Sequence, residues 1–206
     1  MEMRFARLSF LPLPMPHSSN LFKRPVRWVA LAGFMGTGKS RVGWELARAL
    51  DLYFFDTDKA IERMVHLSVP QFFEEYGEAA FREYEHQLLE KVAQLEKTVV
   101  SLGGGSFVSP HNQQILKARG PIVVLEARPE TIFERTHRSN RPLLRGENPL
   151  ERIRELLEAR RESYAQGDIF VSTDGRESGK VVAEIVERLW EWRKARDAET
   201  GRIKVE

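Results

Sequence analysis

Short apolar runs recur along the chain at 28–32, 52–55, 98–102, 122–125 and 168–172, each rich in β-branched or aromatic residues. Between them lie longer stretches with helical spacing. Strand alternating with helix predicts a parallel sheet, and apolar runs that do not alternate with polar residues suit strands covered on both faces. The expected fold is therefore α/β: a three-layer sandwich around five parallel strands. Ser68-Val69-Pro70-Gln71 reads as a helix N-cap with a capping-box Gln, and Ser109-Pro110 as an N-cap followed by proline in the first turn. A helix over 78–95 places Ala80, Tyr84, Leu88, Val92 and Leu95 along one stripe, which is read as core. A final helix over 179–196 carries Val182, Ile185, Val186, Leu189 and Trp192, then gives way to a charged tail, 197–206, expected to fray.

The chain has 206 residues, 42% of them hydrophobic and 30% charged, enough for one domain with a substantial core and too few for a second. That domain is expected over 25–196, with 1–24 as a flexible extension whose Pro12 and Pro14 break its one apolar stretch. The net charge of +2 is spread along the chain, which argues against nucleic acid and fits a small anionic ligand. No run is long enough to span a membrane. The absence of cysteine excludes disulfides and thiolate chemistry and agrees with a reducing cytoplasm. A monomer is expected at this size.

The first apolar run leads into Gly33-Phe34-Met35-Gly36-Thr37-Gly38-Lys39-Ser40, and a helix-patterned segment follows it. This is a phosphate-binding loop in its expected context. Its glycines let the backbone wrap a polyphosphate, so that successive N–H groups and a helix N-terminus face negative charge. Lys39 is expected at the β- and γ-phosphates and the Ser40 hydroxyl on Mg²⁺. ATP is the predicted nucleotide.

Asp56-Thr57-Asp58 follows the second strand, at the sheet edge where open α/β folds hold ligands. We assign Asp56 to the Mg²⁺ shell and Asp58 to an attacking hydroxyl. The third strand ends in Gly103-Gly104-Gly105, a triplet most easily understood where a ligand meets the main chain. Arg82 and Glu85, three apart on a helix, suit a carboxylate-binding guanidinium held by a neighbouring acid. Arginines at 135, 138, 141 and 145, around a loop punctuated by Pro142 and Gly146, suggest a mobile lid over about 136–148. Arg141 is the first candidate for stabilising the transferring group.

As an ordered set these residues resemble the shikimate kinase family. The resemblance covers about 28–173 and rests on Gly33 to Ser40, Phe55-Asp56-Thr57-Asp58, Phe81-Arg82 with Glu85, the glycine triplet, Arg141-Pro142-Leu143-Leu144, and an Arg four residues before Tyr164. It implies strand order 2-3-1-4-5 and phosphoryl transfer from ATP to the 3-hydroxyl of shikimate, in the biosynthesis of chorismate and aromatic amino acids. It further implies that Asp58 binds the ring hydroxyls, that Arg82 and Arg160, or its neighbour Arg161, bind the carboxylate, and that the Gly104 backbone contacts the ring. The nucleotide falls to Gly36, Thr37, Gly38, Lys39, Ser40, Arg41, Arg135 and Arg141, with Arg135 near the adenine; Lys39 and Arg141 stabilise the transferring group. Ser40 and Asp56 hold Mg²⁺. The chain departs from the family pattern at Arg41, where a small hydroxyl residue is usual, and at His66, where glycine is usual at a helix end. It also departs around Arg160, where a proline is missing. The competing readings are a gluconate or other small-polyol kinase and a nucleotide-binding pseudoenzyme.

Overall fold

A computed structural model describes residues 24–137, 141–144 and 146–200. The expected extension up to Lys23, Arg138 and Arg145 of the lid, and the end of the tail from Gly201 lie outside the described residues. In chain order the elements are β1 (Trp28–Ala32), α1 (Lys39–Leu50), β2 (Tyr53–Asp56), α2 (Thr57–Val65), α3 (Val69–Val92), β3 (Thr98–Ser101), α4 (Pro110–Lys117), β4 (Ile122–Glu126), α5 (Pro129–Thr136), α6 (Pro149–Ala159), α7 (Arg161–Tyr164), β5 (Ile169–Ser172) and α8 (Ser178–Glu199). Short 3₁₀ turns cover Ser106–Val108 and Pro142–Leu144. The strands form one sheet in the order β2-β3-β1-β4-β5, all parallel.

The central strand shows why its sequence carries no polar alternation. Trp28, Ala30 and Ala32 join a core with Val100, Ile122 and Val124 beneath α3, α4, α5 and α6. Val29 and Leu31 face the other way, into a second core with Val99, Val123, Leu125 and Val171 beneath α1 and α8. Both faces are covered, so every position is apolar. Because all strands run the same way, their carboxyl ends, with the loops that follow them, gather along one edge.

Three details differ from the sequence reading. The buried stripe of α3 is Phe81, Glu85, Leu88, Leu89 and Val92, rotated by one residue from the expected stripe; Ala80 and Tyr84 are only partly buried, and Leu95 lies past the helix end. The chain enters α3 through the expected Ser68–Gln71 capping box, and Gly77 at φ 79° breaks the helix before the Arg82 segment begins. The last helix continues through Asp197, which pairs with Arg193 at 2.7 Å, to Glu199. An i,i+4 ion pair on the final turns accounts for the extra length. His66 ends α2 in the left-handed conformation, φ 58°, a position where glycine is favoured because it has no Cβ to strain.

Candidate active site

The phosphate loop joins β1 to α1. Gly33, Gly36 and Gly38 adopt φ of 131°, 82° and 91°, which side-chain-bearing residues rarely reach. A Cβ on Gly33 would collide with the carbonyl oxygen of Leu125. Gly38 starts α1 with no side chain capping the helix, so the first-turn N–H groups are left for an anion. Thr37 Oγ1 donates to the Phe34 carbonyl at 2.8 Å and fixes the turn. Lys39 is buried and its Nζ donates to the carbonyls of Gly33 (2.7 Å) and Phe34 (2.9 Å), which holds the ammonium inside the loop. Burial lowers its pKa to about 8, with Asp58 opposing and Arg141 adding to the fall.

Ser40 Oγ donates to Asp56 Oδ2 at 2.6 Å. The other Asp56 oxygen accepts from the Lys59 N–H at 3.1 Å and caps α2, so the carboxylate is oriented from below. A hydroxyl and a carboxylate side by side at the start of α1 form an all-oxygen donor set of the kind a hard divalent cation takes.

Asp58 sits on the first turn of α2, partly buried. Burial pushes its carboxyl up to about 6, and the carboxylates of Glu85 and Asp56 push in the same direction against Lys39 and Arg141. The glycine triplet explains how two acids come so close. A Cβ on Gly103 would fall on Glu85 Oε1 and Asp58 Oδ1, and 2.8 Å from Ser106 Oγ. The Gly103 N–H donates to Thr57 Oγ1 at 2.8 Å and ties the triplet to α2. A Cβ on Gly105 would lie 2.5–2.7 Å from the Arg82 guanidinium, and one on Gly104 would lie 3.1 Å from the Met35 backbone nitrogen.

Arg82 donates to Glu85, which is 1% exposed, and through Nη2 to Glu78 at 2.7 Å. Glu85 in turn accepts from the Ser106 hydroxyl. On the opposite side Arg160, also buried, donates from Nη1 to the Gly104 carbonyl at 3.0 Å, with its guanidinium carbon 5.3 Å from the centre of the Phe34 ring. Arg161 turns outward to Glu158. Of the two neighbours, Arg160 is therefore the one beside Asp58 and Arg82. The Tyr164 hydroxyl donates to the same Gly104 carbonyl at 2.7 Å.

Arg135 bridges the loop and the sheet edge, donating to the Gly36 carbonyl (3.2 Å), Thr173 Oγ1 (3.0 Å) and the Thr173 carbonyl (2.8 Å). Arg141 faces the pocket closely enough for its charge to act on Lys39, Asp58 and Glu62. Arg41 stands apart: its guanidinium pairs with Glu45 at 3.1 Å on the outer surface of α1, and only its backbone belongs to the helix first turn. The structure thus brings together Lys39, Ser40, Asp56, Asp58, Arg82, Gly104, Arg135, Arg141 and Arg160, and leaves the Arg41 side chain outside. Sequence reasoning did not reach Ser106, named Phe34 and Thr57 only as members of their motifs without a role, and used Tyr164 only as a spacing marker.

The family model for shikimate kinase matches residues 35–190. The chain belongs to the shikimate kinase family. Relatives named shikimate kinase include one from Deinococcus radiodurans, 54% identical over 87% of this chain and 92% of its own length. Another, from Thermus thermophilus, is 53% identical over 85% of this chain and 96% of its own. Among solved structures, shikimate kinase from Acinetobacter baumannii in complex with shikimate superposes with a TM-score of 0.78 at 33% identity, covering 81% of this chain and 94% of that one. The family match takes in the phosphate loop from Met35 onward, both acids, the glycine triplet and the four pocket arginines. As a member of this shikimate kinase family, the chain is an ATP-dependent kinase.

The two shifted groups predict opposite limbs in the pH profile. An Asp58 that serves as proton acceptor must be ionised, so in that role kcat/KM for the acceptor should fall about tenfold per pH unit below about 6. Lys39 in the nucleotide-free protein loses its charge above about 8, so kcat/KM for ATP should fall on the alkaline side. Initial rates at subsaturating levels of each substrate across pH 5–9.5 check both limbs. An acid limb no higher than an ordinary carboxylate's would remove the burial argument for Asp58.

Proposed function

We propose that this chain transfers the γ-phosphoryl group of ATP to the 3-hydroxyl of shikimate, giving ADP and shikimate 3-phosphate. The observation that carries this reading is the pocket around Gly103–Gly105, where Asp58 lies beside Glu85 and two guanidiniums, Arg82 and Arg160, stand against the same backbone. An anionic polyol needs cations for its carboxylate and an acid for its hydroxyls, and the phosphate loop adjoins this pocket through Met35 and Gly104.

In this reading Arg82 and Arg160 bind the carboxylate and Asp58 orients the attacking hydroxyl and takes its proton. The Gly104 backbone lies along the ring. Lys39 and Arg141 neutralise charge on the transferring group. Gly36, Thr37, Gly38 and the first turn of α1 cradle the phosphates, to which Arg41 contributes its backbone alone, and Arg135 borders the adenine. Ser40 and Asp56 would hold Mg²⁺, which would supply positive charge to offset that of the phosphates.

A monomeric cytoplasmic enzyme is the matching state. Among the described residues the large apolar side chains left exposed are Trp44, Tyr53 and Tyr76. Arg48 covers the Trp44 ring at 4.8 Å, and among the described residues no helix is long and apolar enough to cross a membrane. A coupled ADP-release assay with Mg-ATP tests the function directly. Turnover should depend on shikimate and stay at background with gluconate or without an acceptor; turnover with gluconate in place of shikimate, or ATP binding with no turnover, would replace this reading with the polyol-kinase or the pseudoenzyme alternative.

A further inference from the structure

His86 and Glu90 lie four residues apart on α3, hence on one helical face, and His111 stands opposite them at the start of α4. One ligand atom from each of the three falls within 4.8 Å of the other two. The imidazoles meet edge to face with centroids 4.4 Å apart, and His86 Nε2 is 3.8 Å from Glu90 Oε1. His111 and Glu90 are exposed and His86 is partly buried, so two of the three side chains are free to adjust.

The orientation of His86 is set from behind. Buried Asn112 donates from Nδ2 to the Ser106 carbonyl at 2.8 Å, and a carbonyl can only accept, so the amide cannot be turned round. Asn112 Oδ1 is therefore what meets His86 Nδ1 at 2.8 Å, and Nδ1 must carry the proton. In the neutral ring this leaves the Nε2 lone pair free, on the side of Glu90 and His111. A backing acceptor that fixes tautomer and ring angle is the arrangement that metal-ligating histidines use.

We propose that His86, Glu90 and His111 form a binding site for a divalent transition cation of the Zn²⁺ class, separate from the phosphate-transfer centre. Two imidazole nitrogens and one carboxylate oxygen suit a borderline cation, whereas Mg²⁺ takes oxygen ligands. Ligand distances of about 2.0–2.2 Å around a tetrahedral ion put donor atoms about 3.3 Å apart, a closure that rotation of the exposed Glu90 and His111 side chains can supply. The bound ion would clamp α3 to α4.

Zn²⁺ titration of the full chain, with excess Mg²⁺ to fill the all-oxygen donor set of Ser40 and Asp56, reads the site by calorimetry and by thermal melting. The wild type should bind one Zn²⁺ that is lost, together with its rise in melting temperature, in both His111→Ala and Glu90→Gln. Each variant should weaken that binding about tenfold or more. Both residues are exposed, so the variants should melt like the wild type in chelator, which separates lost binding from lost fold. Equal Zn²⁺ affinity in wild type and His111→Ala, or no saturable binding by the wild type, would overturn the proposal.

Discussion

Asp58→Asn should lower kcat for shikimate phosphorylation by about 10³-fold, the scale of a lost general base, while ATP binding stays within about twofold. The amide keeps the size and one hydrogen-bonding oxygen of the acid but cannot accept the proton of the attacking hydroxyl. The same variant should gain stability at pH 7. Burial and two neighbouring carboxylates raise the Asp58 pKa from 3.8 to about 6, so the folded protein binds more protons than the unfolded chain between those values. Stability is accordingly lost as the pH rises through that window and stays lost above it. Asparagine removes the repulsion, and a chain of this size gains about 2–4 °C per kcal/mol. Steady-state kinetics, nucleotide titration and thermal melting on one preparation check all three. A variant that loses activity and melting temperature together would mean that Asp58 acts as a scaffold residue.

Arg82→Ala should raise KM for shikimate about 100-fold, the loss of one charge-assisted contact to a carboxylate, with KM for ATP nearly unchanged. The structure adds a complication absent from the sequence. Arg82 is also the ion partner of Glu85, 1% exposed, and removing it leaves a buried carboxylate unpaired at a cost of about 3–5 kcal/mol. The single variant will therefore melt early as well as bind poorly. The Arg82→Ala/Glu85→Gln double variant separates the two effects, because glutamine carries no charge to leave unpaired and can still bond the Ser106 hydroxyl. It should recover most of the melting temperature and none of the shikimate affinity. Recovery of both would assign the carboxylate contact elsewhere.

Much of this site is legible in the chain because its parts are local. The phosphate loop, the Asp56–Asp58 pair and the glycine triplet each come directly after a strand, and parallel strands deliver their trailing loops to one edge. The parts that were not legible depend on contacts between distant segments. Glu85 reads as the acid that holds Arg82, but its burial stays hidden because i,i+3 spacing says nothing about which face of a helix is covered. The apolar residues around it, Phe81, Leu88, Leu89 and Val92, did hold a signal, since a carboxylate at the 85 position interrupts the stripe they form. Ser106 and Tyr164 lie 21 and 60 residues from the partners they reach, Glu85 and the Gly104 carbonyl, and no short-range pattern announces either. For Arg160 and Arg161, adjacent and chemically identical, only the turn at the end of α6 decides which points inward.

The phosphate loop lies near the start of the described chain, yet its supports arrive last. The inner face of α1, Val42, Leu46, Ala47 and Leu50, shares its core with Val181, Val182, Ile185 and Leu189 of α8, and Arg135 braces Gly36 against Thr173. During synthesis, the loop that would grip a nucleotide has already left the ribosome while its support is still untranslated. A growing or prematurely terminated chain that lacks α8 therefore leaves the inner face of α1 uncovered, and should grip ATP more weakly than one completed through that helix.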